Sequence, residues 1–280
     1  MGRKTAEIAW RNGMVASRDG TAISFLSTGR GPGLVVIPGN NRRAHHYEAL
    51  ARELSGTFTV HVIDRRGRGL SGPQGPGYRI DDEVDDALAV MDHTGTELLF
   101  GHSYGGLAAL RLALRRRVAR LVAYEPGVSV HGSFDGSWLP EFTALLAQGR
   151  KGAAMATFLK RTGLSPIGDA PMPVFRVLAF LLLHGSDGAE TRAMMPTTPA
   201  EMGEIVRLDG DGREYARITS PVLLLGGSKS PAYLTTPLLA DLARGMPDAR
   251  HLIMEGLDHN APDLNAPAVV AGQITAFAHW

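Results

Sequence analysis

Residues 98–110 read Leu98-Leu99-Phe100-Gly101-His102-Ser103-Tyr104-Gly105-Gly106-Leu107-Ala108-Ala109-Leu110. A short apolar run of strand type meets a Gly-x-Ser-x-Gly turn, and an apolar helical pattern follows without a gap. A strand that becomes a helix within so few residues strains its backbone and brings neighbouring segments close together. Glycine at 101 and 105 removes the Cβ atoms that would clash, and Ser103 is left at the apex with its hydroxyl lifted clear of the sheet. The Tyr104 N–H then opens a helix, where the dipole favours developing negative charge. A glycine-rich turn with an incidental serine is the plainer reading. The strand, both glycines and the helix together favour a nucleophile.

Three further segments fall in order around this turn. Leu34-Val35-Val36-Ile37-Pro38-Gly39-Asn40 is an apolar strand running into a loop. Asp64-Arg65-Arg66-Gly67-Arg68-Gly69-Leu70-Ser71 follows another strand, and Gly256-Leu257-Asp258-His259-Asn260-Ala261-Pro262 lies near the C-terminus. With the serine turn, these resemble the marks of the α/β-hydrolase fold superfamily. The first is similar to its third strand and oxyanion loop, with Pro38 where a histidine is common. The second resembles its Asp-x-Arg-Gly-x-Gly-x-Ser segment, and the third the loop that carries its late histidine. The resemblance covers nearly the whole chain; its motifs are specific for fold and not for substrate. It implies an α/β architecture, a mostly parallel eight-stranded sheet flanked by helices. Residues 1–127 and 216–280 would form the core and residues 128–215 an inserted helical cap.

Composition narrows the function classes. The 280 residues are 44% hydrophobic, enough to bury a full core. With 29 basic and 28 acidic side chains the net charge is +1, so no field of one sign draws the chain to nucleic acid or an anionic membrane. Arg115-Arg116-Arg117 falls at the end of the helix after the serine and reads as a solvated helix end. No cysteine is present, which excludes disulfides, thiol nucleophiles and zinc–cysteine sites. Met1–Glu7 has basic residues but no apolar stretch of leader length behind it. The greasiest segment, Val174–Leu183, is interrupted by Arg176 and falls short of the ~20 residues that span a bilayer. These features predict a soluble, cytoplasmic protein, and the resemblance implies a small-molecule partner.

Along the chain, strand and helix signals alternate as in a sheet covered on both faces. Thr21–Leu26 alternates polar and apolar residues as an early antiparallel strand, and Phe58–Ile63 is another strand. Ile80, Val84, Leu88 and Met91 recur at helical spacing; the acids from Asp81 to Asp86 read as a solvated, dipole-matched helix entry rather than a metal site. Leu121–Tyr124 is a strand ending in Glu125-Pro126. From about Gly127 to Arg217 the alternation stops, with helical pieces around 139–146, 155–160 and 174–183. Met172, Met194, Met195 and Met202 in this region are candidates for a deformable pocket wall or for ordinary core. The sheet resumes at Val222–Gly226, Arg250–Met254 is its last strand, and residues 267–280 form a closing helix.

A serine hydroxyl needs a base, and histidine, with an ordinary pKa of about 6.5, suits that task near neutrality. The resemblance selects His259 among the ten histidines, since its loop meets the same sheet edge as the serine turn. His102 reads as packing, and His45 and His46 as residues near the pocket; no histidine pair has metal-ligand spacing. The third member departs from the family pattern. Gly227-Ser228-Lys229-Ser230-Pro231, after the strand where an acid is expected, has no carboxylate. Either the triad is broken or the acid has moved to Glu125, as in some members of the superfamily. Glu125 alternatively pairs with a loop arginine such as Arg66, and Asp258 and Asp64 are weaker candidates. The backbone N–H groups of Asn40 and Tyr104 would form the oxyanion hole.

The expected activity is hydrolysis of a carboxylic ester, thioester or lactone of a largely apolar acyl compound through an acyl-serine, with no metal or organic cofactor. Acyl transfer or perhydrolysis would use the same intermediate. A ligand receptor or cofactor-free lyase with a degenerate triad is the reading from another class.

Overall fold

The computed structural model describes residues 9–165 and 167–279. The Met1–Glu7 segment considered above lies outside them, as does Trp280. The strands are β1 (Arg11–Ala16), β2 (Ala22–Gly29), β3 (Gly33–Ile37), β4 (Thr59–Ile63), β5 (Leu98–His102), β6 (Arg120–Tyr124), β7 (Val222–Gly227) and β8 (Ala249–Met254). The helices are α1 (Glu48–Leu54), α2 (Ile80–Thr94), α3 (Tyr104–Arg115), α4 (Leu139–Ala147), α5 (Lys151–Thr162), α6 (Met172–His184), α7 (Gly188–Met194), α8 (Thr198–Arg207), α9 (Leu238–Gly245) and α10 (Pro267–Ala278). The strands form one eight-stranded sheet in the order β1-β2-β4-β3-β5-β6-β7-β8. β2 is antiparallel to both of its neighbours, and every other pair is parallel. The fold is the mostly parallel α/β sheet expected from sequence, with a helical insert.

The central strands are apolar almost throughout because both of their faces are covered. Side chains alternate across the sheet, so each strand feeds two cores. Val35, Ile37, Leu99, Leu121, Ala123 and Leu224 pack with the apolar faces of α2, α3 and α9. Leu34, Val36, Phe100, Val122, Tyr124 and Leu225 pack with those of α1 and α10. α4 to α8 lie in the chain between β6 and β7, and their apolar residues extend the first core. Trp138, Phe142 and Phe158 of the insert meet edge-on or tilted, with centroids 5.6 to 6.2 Å apart.

The entry to α2 differs from its expected solvated face. Asp81 and Asp85 are paired with Arg115 near the surface, but Glu83 and Asp86 turn inward and are buried. Glu83 meets Arg65 at 2.8 Å and Asp86 meets Arg66 at 2.7 Å. Charge on that helix is therefore shared between dipole matching and internal ion pairs.

The turn between β5 and α3 depends on close backbone approach. Ser103 has φ 55° and ψ −121°, a conformation that non-glycine residues rarely adopt. A Cβ on Gly101 would lie 2.4 Å from the Gly105 carbonyl oxygen, and one on Gly105 would lie 2.1 Å from that of Ile37. Both neighbours are backbone and cannot turn aside. Gly105→Ala should therefore destabilise the chain at the top of the ~1–3 kcal/mol range for overpacking, read as a lowered urea midpoint. Gly152→Ala, where an added Cβ meets nothing within 4 Å on α5, should leave the midpoint unchanged or raise it. Equal midpoints for the two variants would show that the turn tolerates a side chain.

Candidate active site

The sheet brings residues distant in sequence to the carboxyl ends of its central strands, the usual position of ligand clefts in such sheets. His102 of β5 pairs with Tyr124 of β6, so the next residues, Ser103 and Glu125, emerge side by side. The Ser103 N–H donates to the Tyr124 carbonyl at 2.9 Å, and the Glu125 N–H to the Leu225 carbonyl at 2.8 Å. Glu125 has φ 44°, a left-handed backbone that turns its side chain back along the sheet edge. His259 comes from the loop between β8 and α10.

Glu125 is fully buried, and both of its oxygens are occupied. The Gly227 N–H donates to Oε1 at 2.7 Å, and His259 Nδ1 meets Oε2 at 2.6 Å. A carboxylate only accepts, so the imidazole carries a proton on Nδ1, and its neutral form presents a bare Nε2. Ser103 and His259 line the same cavity. The Ser103 hydroxyl has no hydrogen-bond partner among the described residues, His259 included. Catalytic contacts of this kind are often long before substrate is bound.

The other acids point elsewhere. Asp258 is turned onto its own loop, accepting from the Asn260 N–H and the Asn265 side chain. Asp64 accepts from the Ala44 N–H at 2.8 Å, and Arg66 is taken by Asp86 and Asp19 rather than by Glu125. At the end of β7, a side chain is excluded at Gly227. A Cβ on Gly227 would lie 2.3 Å from the Leu257 carbonyl oxygen, so the histidine loop sits where a side chain would stand.

Two groups unforeseen in the sequence hold that loop and the loop after β3. Tyr124 donates its hydroxyl hydrogen to the Asp258 carbonyl at 2.7 Å. His102 is buried with Nε2 2.8 Å from the His259 carbonyl, which can only accept, so Nε2 carries the proton. Its Nδ1 then accepts from the Tyr47 hydroxyl at 2.6 Å, and that oxygen accepts from the Gly39 N–H at 3.0 Å. Burial holds His102 well below the ordinary imidazole value, in keeping with this neutral, ordered chain. Packing was the sequence expectation for His102; its bridging contacts depend on Tyr47, whose position no motif marks.

A Cβ on Gly39 would lie 3.2 Å from that of Ser103, so the loop carrying Asn40 runs directly past the serine. The Tyr104 N–H opens α3, where the first turn leaves donors without helical acceptors. The Asn40 side chain is turned away onto α8, with Nδ2 2.8 Å from Glu201.

The cavity has a volume of about 290 Å³. Phe134, Phe158, Leu178, Met202, Ile205 and Leu264 form much of its wall, and Asn41, Arg42 and Asn260 a polar end. Arg42 is ion-paired to the buried Asp263. Of the four methionines considered from sequence only Met202 reaches this cavity, joined by Met155; the others fill other parts of the insert. His45 and His46 do not reach it, contrary to expectation. Their rings meet tilted, with centroids 4.1 Å apart, beside Glu190. His46 Nδ1 accepts the Arg43 N–H, which leaves the proton on Nε2, and the Arg43 guanidinium holds Glu190 at 2.6 Å. A protonated Nε2 and a resident guanidinium suit an ion-paired cluster better than a cation.

The sequence profile of the Alpha/beta hydrolase family matches residues 34–273. The chain belongs to that family. It is 25% identical over 269 residues to the 2-(acetamidomethylene)succinate hydrolase of Mesorhizobium japonicum, covering 91% of each chain. It is 28% identical over 251 residues to the lipase LipV of Mycobacterium tuberculosis, covering 86% of this chain and 92% of that one. Among solved structures it superposes on an alpha/beta hydrolase from Sphaerobacter thermophilus with a TM-score of 0.79 at 29% identity, over 95% of this chain and 99% of the other. No helix among the described residues is long and apolar enough to cross a membrane.

Two histidines, His46 outside the cavity and His102 beside Ser103, give a pH signature. Burial, with the nearby His45 and Arg42 charges, holds His46 down to about 4 from an ordinary 6.5, and His102 is displaced the same way. Unfolding then takes up protons between pH 6.5 and 4. The stability supplied by the neutral rings is complete above 6.5 and is lost as pH falls through that window. His46→Gln should reduce the proton uptake, measured as the pH slope of the unfolding free energy from 6.5 to 4.5. A slope unchanged by the substitution would locate the titration elsewhere.

Proposed function

We propose that the chain is a serine hydrolase that cleaves a carboxylic ester, thioester or lactone bond through an acyl-Ser103 intermediate. The observation that carries this reading is the 2.6 Å contact between His259 Nδ1 and a Glu125 carboxylate held from behind by the Gly227 N–H. It orients the ring so that Nε2 takes the Ser103 proton as Oγ attacks the carbonyl carbon. The carbonyl electron pair moves to oxygen, where the Asn40 and Tyr104 N–H groups receive it. The intermediate collapses, the leaving group departs with the proton from His259, and a water activated by the same ring releases the acid. Residues 128–215 act as a cap over this chemistry, set on a core of residues 1–127 and 216–280.

The apolar wall favours a small to medium acyl compound with little charge. The first relative named above acts on a succinate, but the only cation lining this cavity among the described residues, Arg42, is already balanced by Asp263. A substrate carboxylate would find no free counter-charge there. The contact between Glu125 and His259 supports a complete triad over a degenerate one.

A fluorophosphonate should add a single label at Ser103, mapped by mass spectrometry, and Ser103→Ala should abolish both the label and p-nitrophenyl ester turnover. Glu125→Gln keeps size and removes charge, so kcat/KM should fall by roughly 10²–10⁴ with a near-normal melting temperature. Labelling at another residue would reject the nucleophile, and an active Glu125→Gln would reject the acid.

A further inference from the structure

Four charged side chains are sealed between the insert and the sheet edge, and the chemistry above uses none of them directly. Arg65 and Arg68 follow β4, Glu83 belongs to α2 and Glu201 to α8. Arg65, Arg68 and Glu201 have no exposed side-chain surface, and Glu83 has 1%. Arg65 meets Glu83 at 2.8 Å and Glu201 at 2.9 Å, and Arg68 meets Glu201 at 2.5 Å. Burial alone would raise the Glu201 carboxyl, but Arg65 and Arg68 outweigh it and hold it at about 2. Two cations thus face two carboxylates. Apolar residues of the same volume would stabilise such a space as well or better. The cluster also touches Tyr78, Thr197 and the Tyr104 ring, but two further contacts are ones that apolar residues would not reproduce.

Both contacts end on the loop beside Ser103. Arg65 Nη2, the nitrogen bound to Glu201, also donates to the Gly39 carbonyl at 3.0 Å. Asn40 Nδ2 donates to Glu201 Oε2 at 2.8 Å. The Gly39 carbonyl and the Asn40 N–H belong to one planar trans peptide and point in opposite directions. Fixing that carbonyl on Arg65 therefore aims that N–H, and the side-chain bond to Glu201 stops the unit from rocking about its long axis.

We propose that Glu201 is a positioning residue that aims the Asn40 backbone N–H at the oxyanion, acting through Arg65 on the Gly39 carbonyl and through the Asn40 side chain. The proposal rests on the acyl-Ser103 reading. It makes the insert part of the machinery, because a shift of α8 misdirects a donor that belongs to the core. Hydrogen bonds weaken steeply as they lose linearity, and loss of one oxyanion donor costs about 10²–10³ in kcat. A misaimed donor should cost part of that.

The test uses the full chain, an apolar p-nitrophenyl ester and a trifluoromethyl ketone of matching chain length. Ser103 Oγ bonds to the ketone carbon, the carbonyl electron pair moves to oxygen, and the serine proton passes to His259, so the adduct's oxyanion reports the hole. Glu201→Gln should lower kcat by roughly 10- to 100-fold, leave KM within about threefold and weaken ketone binding by the same factor as kcat. Asn40→Ala leaves all four charges paired and should lower kcat and ketone affinity together by about 3- to 10-fold. Glu201→Gln in that background should lose less than in the unaltered chain, since the two share a route. Ketone affinity unchanged in Glu201→Gln, or a loss confined to melting temperature or KM, would make Glu201 a structural clamp only. Should that variant not fold, Asn40→Ala decides: full kcat and full ketone affinity overturn the proposal. Failure of the ketone to form an adduct with the unaltered chain rejects the Ser103 reading instead.

Discussion

A carboxylate with no access to water must find a donor for each oxygen, and Glu125 governs the geometry around it for that reason. Its two donors come from different strands' ends: the Gly227 N–H closes β7, and the His259 ring arrives from the loop after β8. Meeting both requires the left-handed backbone at residue 125, a strained state of order 1–3 kcal/mol that persists only where surroundings over-determine it. Ser103, one strand away, is held in a positive-φ state as well. The two strained residues are tied directly: the Ser103 N–H bonds the Tyr124 carbonyl, immediately before Glu125. Removing either constraint would leave the other without a neighbour in register.

Crowding also limits where a carboxylate that meets His259 could be rooted. The histidine loop crosses the end of β7 so closely that Gly227 has no room for a Cβ. A carboxylate rooted there would have to push the loop away from the sheet. Rooted one strand nearer the serine, a glutamate reaches the ring beneath the loop, and the freed Gly227 N–H becomes its second donor. Tyr124 and His102 fix the loop's backbone at the carbonyls of Asp258 and His259, so the imidazole is located by its own main chain as well as by its partner.

What was legible in the sequence follows from the range of the interactions involved. The serine turn, the parallel strands and α2 rest on local spacing, and Leu34–Ile37 or Leu121–Tyr124 can be read as buried strands from their composition. Glu125 and His259 were legible as candidates because each ends or follows a recognisable strand. β1 was not, since Arg11–Ala16 is an edge strand with a mostly exposed pattern and little apolar signal. The acids of α2 misled for a different reason: whether Glu83 or Asp86 faces solvent depends on Arg65 and Arg66, placed there by a separate strand. Glu201 lies 136 residues from Arg65, and no local pattern encodes that pairing. The helices of the insert were only partly visible, because α4, α5 and α6 lack a clean one-sided apolar stripe.

Those long-range pairs share a polarity that bears on how insert and sheet are joined. Arg43–Glu190, Arg65–Glu201, Arg68–Glu201 and Arg79–Glu204 each place the arginine before the insert and the glutamate within it. The outer two include partners open to water, so salt screens them and they hold weakly. The inner two have no exposed surface and escape that screening. Separating them would strand two buried guanidinium groups against one remaining carboxylate, Glu83, a penalty that far exceeds any gain from surface pairs. The ionic joint between insert and core is therefore strongest where Glu201 of α8 meets Arg65 and Arg68, and weaker at Glu190 of α7 and Glu204 at the far end of α8.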